Sequence, residues 1–268
     1  MDTRASLIEG YSRSAPTYDQ TAGMIYLGVL RKFMPRVRVG PSPAVLDLGC
    51  GTGINLLEVA RALGPCRRLA GIDLAPGMIV EARRKAAAAG VPATFEVGDA
   101  EHLALEDASF DLIICNGVYH WFPDRSQAIA EMSRVLRPYG QVLIICVADP
   151  GFHEWVRVVD RVRSRLLNEQ RPWLPALPTP AELMGHLRAA NLVVEHLEYE
   201  VDPVFVSDPE AFLRTMAVIA PTWLAGVPPD GADAVMTAVS EGLSGSGGGP
   251  FTITGAGLIC VSRKLEAQ

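Results

Sequence analysis

Three glycines at alternate positions follow a short apolar run in the segment Val45-Leu46-Asp47-Leu48-Gly49-Cys50-Gly51-Thr52-Gly53. Glycine accepts a positive φ and lets a ligand approach the backbone, so this loop predicts a strand-to-helix turn that binds a nucleotide. Dinucleotide oxidoreductases favour G-x-G-x-x-G instead, because a diphosphate then meets the helix N-terminus. Asp47, just before the loop, would repel a diphosphate and attract an amino group.

Two further acids stand at the predicted ends of strands. Asp73 lies 20 residues after Gly53, the position from which a carboxylate can hold both hydroxyls of a ribose. Asp99, followed by Ala100, ends the next predicted strand, where a carboxylate can accept the exocyclic amine of an adenine. The ligand that these residues imply has an adenine, a free ribose, an ammonium and no diphosphate.

The elements that position these residues alternate short β-branched apolar runs with longer helical patterns from residue 44 onward. This alternation predicts an α/β fold with a doubly wound, mainly parallel, Rossmann-like sheet. Seven strands are predicted, at Val45–Leu48, Arg68–Ile72, Thr94–Val97, Phe110–Asn116, Gln141–Ala148, Val193–Val201 and Ala256–Arg263. Helices are predicted between them at Asn55–Leu63, Ala75–Ala89 and Asp124–Leu136.

Segments outside this alternation predict a helical cap and a lid. We expect an N-terminal helical cap over residues 1–40, a ligand-binding core over 41–148 and a lid insertion over 149–180. The rest of the sheet then occupies 181–268, with a helical insertion at 203–250. Extra helices are predicted at Met24–Met34, His153–Asn168, Pro209–Ile219 and Asp230–Leu243. Such helices cannot extend a parallel sheet, so we expect them to cover its carboxyl edge.

The composition indicates one soluble, well-cored domain, since 49% of residues are hydrophobic, 20% are charged and the net charge is -6. No apolar run reaches about 18 residues and the N-terminus lacks the layout of a secretory signal, so we expect a cytoplasmic protein without membrane contact. The acidic balance disfavours a nucleic-acid partner. The five cysteines stand singly, so neither a disulfide frame nor a bound metal is expected. The sequence does not predict an oligomeric state.

The loop and the acids together resemble the class I S-adenosylmethionine-dependent methyltransferases, most densely over residues 44–148. The segment Arg134–Gly140 is similar to the family's turn into strand five, R-x-L-x-P-G-G, with Tyr139 in place of the first glycine. The resemblance implies S-adenosyl-L-methionine as donor, S-adenosyl-L-homocysteine as product, an antiparallel last strand and a helical lid. It assigns donor binding to Tyr18, Asp47, Gly49, Cys50, Gly51, Gly53, Asp73, Leu74, Met78, Asp99, Ala100 and Asn116.

Two further runs, Tyr11–Asp19 and Asn116–Phe122, are similar to two groups within that superfamily. One group is the malonyl-carrier-protein O-methyltransferases with the trans-aconitate methyltransferases; the other is the natural-product and quinone methyltransferases. Both groups imply a small-molecule acceptor in a biosynthetic pathway, methylated at oxygen or activated carbon. Carboxyl methylation of a free or carrier-bound acid, with an acyl carrier protein as partner, is an open alternative. A nucleic-acid methyltransferase and a non-catalytic donor-binding module are less favoured.

In-line methyl transfer depends mainly on alignment, but a phenol, an alcohol or an activated carbon must also lose a proton to a base. His120 is the predicted catalytic base, because it closely follows the fourth strand and its unperturbed pKa of about 6.5 suits the task. Packing beside Trp121 is the alternative role for His120. Tyr18 could bond the donor's carboxylate, contact its sulfonium as a cation–π partner, or simply pack. The candidate substrate contacts are Tyr11, Tyr119, His153 and Arg157.

Overall fold

A seven-stranded sheet forms the centre of the protein. A computed structural model describes residues 3–167, 175–228, 231–245 and 249–266. Its strands are β1 Ala44–Leu48, β2 Arg68–Asp73, β3 Thr94–Val97, β4 Phe110–Asn116, β5 Leu136–Val147, β6 Leu192–Val206 and β7 Phe251–Lys264. They lie in the order β3-β2-β1-β4-β5-β7-β6, and β7 is antiparallel to both of its neighbours while the pairs from β3 to β5 are parallel. The predicted doubly wound sheet with an antiparallel last strand is therefore confirmed.

Helices flank this sheet and build the lid. The α-helices are α1 Thr3–Ser14, α2 Ala22–Phe33, α3 Ile54–Leu63, α4 Pro76–Ala89, α5 Arg125–Val135, α6 His153–Leu167, α7 Pro180–Ala189, α8 Pro209–Ile219 and α9 Ala232–Ser244. The predicted helix end Asn168 and helix start Asp230 lie outside the described residues. Within the described ranges, no helix combines the length and the apolar character that crossing a membrane requires.

The sequence gives no bounds for α1, which lies within the predicted helical cap, and does not predict α7. The α1 segment carries its apolar side chains among serines and charged residues, so the segment lacks a continuous apolar stripe. The α7 segment did carry a start signal, because Thr179 accepts a hydrogen bond from the Glu182 backbone N–H and Pro180 occupies the first helical position. The prediction overlooked this signal inside a proline-rich stretch.

Strands β6 and β7 also extend beyond their predicted ends. Their antiparallel pairing continues from Val201 opposite Ala256 to Val206 opposite Phe251, after β5 has ended at Val147. The two strands therefore form a ribbon that projects past the sheet and leads directly into the lid helices. This ribbon occupies the start of the region that the sequence had predicted to be helical from residue 203.

The sheet is buried on both faces, as the central strands of doubly wound folds require. In β1, Leu46 belongs to one apolar cluster and Val45 to the other, and neither side chain is exposed. Helices α5 and α7 cover the first face, and α2, α3 and α4 cover the second. Each fully buried leucine or valine contributes about 1.5–3 kcal/mol to folding, so these layers hold the strand ends in fixed positions.

The lid has a core of its own, formed by α6, α8 and α9. Trp155 and Trp223 meet edge to face with ring centroids 5.8 Å apart at its centre. Arg163 is buried and donates to the carbonyl oxygens of Trp223 and Ala225, at 2.7 and 3.0 Å, which fixes the short 3-10 helix Pro221–Leu224. The predicted boundaries between cap, core and lid stay predictions.

A pair of glycines tests the close packing described above. A Cβ added at Gly71 on β2 would lie 2.6 Å from the Phe95 ring and 2.9 Å from the Cys50 Sγ. We expect Gly71→Ala to lower the free energy of unfolding by about 1–3 kcal/mol, because the core must shift to admit the methyl group. Gly28→Ala in α2 is the control, since its added Cβ would meet no atom within 4 Å. Gly28→Ala should raise the same free energy by about 0.5–1 kcal/mol. Urea unfolding measures both variants, and equal effects would contradict the close packing at Gly71.

Candidate functional site

A cavity of about 450 Å³ opens at the carboxyl ends of β1, β2 and β4. Nine of the residues predicted to bind the donor belong to its lining, Tyr18 from the N-terminal segment and the others from the sheet side. These are Tyr18, Gly49, Gly51, Asp73, Leu74, Met78, Asp99, Ala100 and Asn116. The opposite wall comes from α1, through Arg4, Leu7, Ile8 and Tyr11. Among the described residues, α6, α8 and α9 contribute none to the lining, so the wall over the sheet edge is built by the N-terminal helix.

The glycine loop folds as its sequence requires. Gly49, Gly51 and Gly53 have φ angles of 70°, 51° and 78°, a region that other residues adopt only at a cost. A Cβ added at Gly49 would lie 2.6 Å from Val118, so the loop and the segment after β4 approach closely there. Gly53 serves as the N-cap of α3 and lies outside the cavity lining. Cys50 faces a smaller adjoining pocket of about 20 Å³.

Asp73 is fixed at the cavity wall by two backbone donors. Its carboxylate oxygens accept hydrogen bonds from the N–H groups of Gly51, at 2.9 Å, and Ala75, at 2.8 Å. Burial raises the pKa of Asp73, and these two bonds oppose the rise. The carboxylate is thus held in one orientation while it keeps acceptor positions for a ligand.

Asp99 has a partner that the sequence prediction did not find. Its carboxylate accepts from the Arg4 guanidinium at 2.5 Å and from the Glu101 backbone N–H at 3.0 Å. Burial acts to raise the pKa of Asp99, but the bonds from Arg4 and Glu101 outweigh it and hold that pKa below its usual value. Arg4 lies 95 residues away along the chain, and no local pattern indicates such a pairing.

Two buried polar side chains near the loop have unsatisfied oxygens. Both carboxylate oxygens of Asp47 lack a hydrogen-bond partner among the described residues. Burial, and next the charge of Asp73, raises the pKa of Asp47 to about 8; the nearby Leu56 N–H opposes this rise without reaching normal hydrogen-bond geometry. Asn116 donates to the Tyr26 carbonyl at 3.0 Å, its own Oδ1 has no described partner, and the residue lines both pockets. Asp47 is fully buried and lines neither pocket, so of the two only Asn116 brings an unsatisfied oxygen to the cavity wall.

Three aromatic rings stand in a row across the cavity. Tyr11 meets Tyr18 and Trp121 edge to face, with centroids 6.1 and 6.3 Å apart. The Tyr11 hydroxyl donates to the Ile219 carbonyl at 2.5 Å, which ties the cap to the end of α8. Burial raises the pKa of both tyrosines well above 10, so neither phenol is ionised near neutral pH. The alternative roles predicted for Tyr18 stay open.

His120 lies outside the cavity lining, although its neighbours Trp121 and Phe122 line it. The imidazole is buried and packs against Trp121, with centroids 5.3 Å apart, and its Nδ1 has no described hydrogen-bond partner. Burial, and next the charge of Arg125, lowers the pKa of His120 to about 3. A neutral, buried ring in this position fits the packing alternative more closely than the role of a base.

The other candidate substrate contacts are dispersed. Tyr119 is buried and its hydroxyl lies 3.1 Å from the His186 Nδ1. His153 starts α6 with its Nδ1 3.2 Å from the Pro150 carbonyl, and Arg157 is exposed on the same helix. Of the four predicted contacts, only Tyr11 reaches the described cavity lining.

One group of side chains bears on the expectation that no metal is bound. The ligand atoms of Asp99, Glu101 and His102 lie within 4.8 Å of one another. Asp99 already accepts from Arg4, and Glu101 accepts from the Asp124 backbone N–H at 2.8 Å. These carboxylates therefore accept hydrogen bonds from the adjoining backbone and from the cap. The expectation that no metal is bound stays a prediction.

The comparisons with known proteins agree with this geometry. A family model described as a methyltransferase domain matches residues 45–140. A nocamycin O-methyltransferase from Saccharothrix syringae is 29% identical, over 91% of this chain and 93% of the relative. A malonyl-[acyl-carrier protein] O-methyltransferase from Dechloromonas aromatica is 31% identical, over 81% and 77%. The crystal structure of the YcgJ protein from Bacillus subtilis shares the fold, with a TM-score of 0.65, 22% identity, and coverage of 89% and 98%.

The unsatisfied Asp47 carboxylate generates a pH prediction for the ligand-free protein. Its pKa is about 8 in the folded protein against an ordinary value of 3.8, so between these pH values the folded state holds a proton that the unfolded chain has lost. The free energy of unfolding should therefore fall as pH rises from about 4 to about 8.

Asp47→Asn should make this decline shallower, as measured by urea unfolding at pH 5 and pH 8. Glu96→Gln is the matched control, because Glu96 is an exposed carboxylate and should not alter the slope. An Asp47→Asn protein with the slope of the unmodified protein would contradict the burial of an unpaired carboxylate.

Proposed function

The chain belongs to the class I S-adenosylmethionine-dependent methyltransferases, and from this premise we propose that it methylates an oxygen of a small acceptor that is already acidic. One observation carries the proposal: His120, the predicted base, is buried outside the cavity lining with its pKa lowered to about 3. A carboxylate or a comparably acidic hydroxyl needs no base, because it is ionised before it binds.

The donor side of the cavity fits S-adenosylmethionine. That molecule supplies a methyl group on a positively charged sulfur. Asp73 would accept hydrogen bonds from the ribose hydroxyls and Asp99 from the adenine amine, as the family's motifs imply. The unsatisfied Oδ1 of Asn116 would receive the donor's ammonium group at the cavity wall, and Asp47, as the family's motif implies, would contribute from behind that lining. Met78 and Ala100 line the same part of the cavity and would flank the adenine ring.

The acceptor side is mainly apolar. Leu7 and Ile8 from α1 face Trp121 and Phe122 from the segment after β4. A low-dielectric surrounding strengthens the attraction between an anionic acceptor and a sulfonium. The two walls would align the acceptor oxygen with the methyl group of the donor. This alignment would supply much of the acceleration, because the reaction neutralises charge and needs little other assistance.

The names of the relatives support transfer to oxygen, since both the nocamycin and the malonyl-carrier-protein enzymes are O-methyltransferases. A carrier-bound acid is the second candidate acceptor. Arg157, Arg161 and Arg165 recur every fourth residue on the exposed side of α6, and such a row of guanidinium groups suits the acidic surface of a carrier protein.

The acceptor is tested by mass spectrometry with methyl-deuterated S-adenosylmethionine. Free acids, acidic enols, phenols and acyl groups on a carrier protein are offered in parallel. We expect label on a carboxyl or acidic enol oxygen. Replacing Arg157, Arg161 and Arg165 by alanine should slow transfer only where the acceptor is carrier-bound. Label on an unactivated phenol or on carbon would overturn the proposal.

With the labelled acceptor, His120→Gln should lower kcat by less than about tenfold, because a residue that only packs is not needed for proton transfer. Loss of a general base would instead cost a factor of about 10²–10⁴. The kcat of the unmodified enzyme should also show no inflection near pH 6.5, since the pKa of His120 is about 3. His102→Gln is the control, because His102 is exposed.

Donor binding is tested separately, without any acceptor. Asp73→Ala removes a carboxylate and should weaken S-adenosylhomocysteine binding by about 10- to 100-fold, the usual cost of losing charge-assisted hydrogen bonds. Isothermal titration calorimetry measures the change, and Asp107→Ala, an exposed acid outside the cavity lining, is the control. Unchanged affinity in Asp73→Ala would remove Asp73 from the donor site.

A further inference from the structure

Three polar side chains close a triangle beside the glycine loop. The Thr52 hydroxyl donates to one carboxylate oxygen of Asp19 at 2.5 Å. The Lys85 ammonium donates to the other oxygen of Asp19 at 2.5 Å and to the Thr52 hydroxyl oxygen at 2.7 Å. Lys85 and Asp19 are 17% and 31% exposed, and Thr52 is 1% exposed, so the triangle is largely shielded from water.

Each corner of the triangle belongs to a different segment next to the cavity. Asp19 follows Tyr18, Thr52 stands between Gly51 and Gly53 of the loop, and Lys85 lies on α4 two turns beyond Met78. None of the three corners lines the large cavity itself. The triangle therefore acts on the segments that form the cavity and not on its contents.

The triangle fastens the first part of the N-terminal cap, residues 3–20, and the word cap refers to this part from here on. Other described hydrogen bonds also hold the cap. From the cavity wall, Arg4 donates to Asp99 and Tyr11 donates to the Ile219 carbonyl; outside the lining, the Gly77 backbone N–H donates to the Ser12 hydroxyl oxygen at 3.3 Å. A ligand that engages Asp99 or the start of α4 would disturb the bonds of Arg4 and Ser12, whereas the triangle and the Tyr11 bond can persist with the ligand bound.

We propose that Asp19, Thr52 and Lys85 form a latch that keeps the cap closed over the donor and sets the rate at which S-adenosylhomocysteine leaves. The cap supplies the wall opposite the sheet, through Leu7, Ile8, Tyr11 and Tyr18, so loosening it widens the cavity. Asp19, Thr52 and Lys85 are positioning residues in this scheme. The latch rests on donor binding by the family's motifs and is independent of which acceptor is methylated.

Lys85→Met tests the latch, because it keeps the length of the side chain and removes the ammonium. The dissociation rate of radiolabelled S-adenosylhomocysteine, displaced by excess unlabelled compound, should rise about tenfold, the usual effect of breaking one partly buried charged contact. Lys85→Arg should restore most of the slow release. Arg84→Met is the matched control on the same helix, since Arg84 is 64% exposed and its described hydrogen bonds go to Glu81 and not to the triangle.

Hydrogen exchange of the ligand-free protein gives a readout that does not depend on the donor. In Lys85→Met, amides of α1 should exchange faster while those of α5 keep their protection, because only the cap opens locally. Equal acceleration in α1 and α5 would assign Lys85 a general structural role and overturn the latch. Unchanged dissociation and exchange would also overturn it.

Asp19→Asn repeats the test from the other side if Lys85→Met does not fold. It should again speed dissociation and α1 exchange, and adding Lys85→Met to it should produce little further change, because both substitutions break the same contact. Additive effects of the two substitutions would overturn the latch. Failure of Asp73→Ala to weaken binding, with the latch results as expected, would instead revise the donor contacts alone.

Discussion

Carboxyl groups buried at the carboxyl edge of the sheet are the constraint on which the rest of the site depends. Three parallel neighbours, β1, β2 and β3, bring Asp47, Asp73 and Asp99 to one edge. Each acid is compensated to a different degree: Asp99 by a guanidinium, Asp73 by two backbone N–H groups, and Asp47 by no described hydrogen bond. The glycine loop and the cap both surround these carboxyl groups. A ligand with an ammonium and several hydroxyls completes what the protein leaves unsatisfied.

Much of this edge was predictable because its signals are local. The three glycines, the acids at the strand ends and the apolar runs each lie within a few residues, and each of the seven predicted strands is present, although β5 begins earlier than predicted and β6 and β7 are longer. The cap was not predictable in the same way. The bond from Arg4 to Asp99 joins residues 95 positions apart, and that of Tyr11 with Ile219 joins residues 208 apart. The burial of His120 likewise depends on packing that no spacing indicates.

The site combines two parts of different origin. The proposed donor side comes almost entirely from the loops after β1, β2, β3 and β4, whose positions the sheet fixes. The proposed acceptor side comes from α1 and from Trp121, which also packs into the core of the lid. Tyr11 links the cap with the lid, because it lines the cavity and bonds the end of α8. The lid therefore influences the acceptor side through its contacts with the cap and Trp121, although its helices contribute no described residue to the lining.

The placement of β7 has a consequence for how the chain is made. This strand follows the other six in the chain, yet it lies between β5 and β6, and its pairing with β6 is the longest run of paired residues in the sheet. While the protein is still on the ribosome, β5 has an unpaired edge and the carbonyl of Ile219 emerges long after its partner Tyr11. The N-terminal helix must wait for that late partner, with Leu7 and Ile8 exposed to solvent. Nascent chains that stop before residue 251 would thus present an open sheet edge and the exposed apolar side chains of Leu7 and Ile8, which are features that chaperones bind.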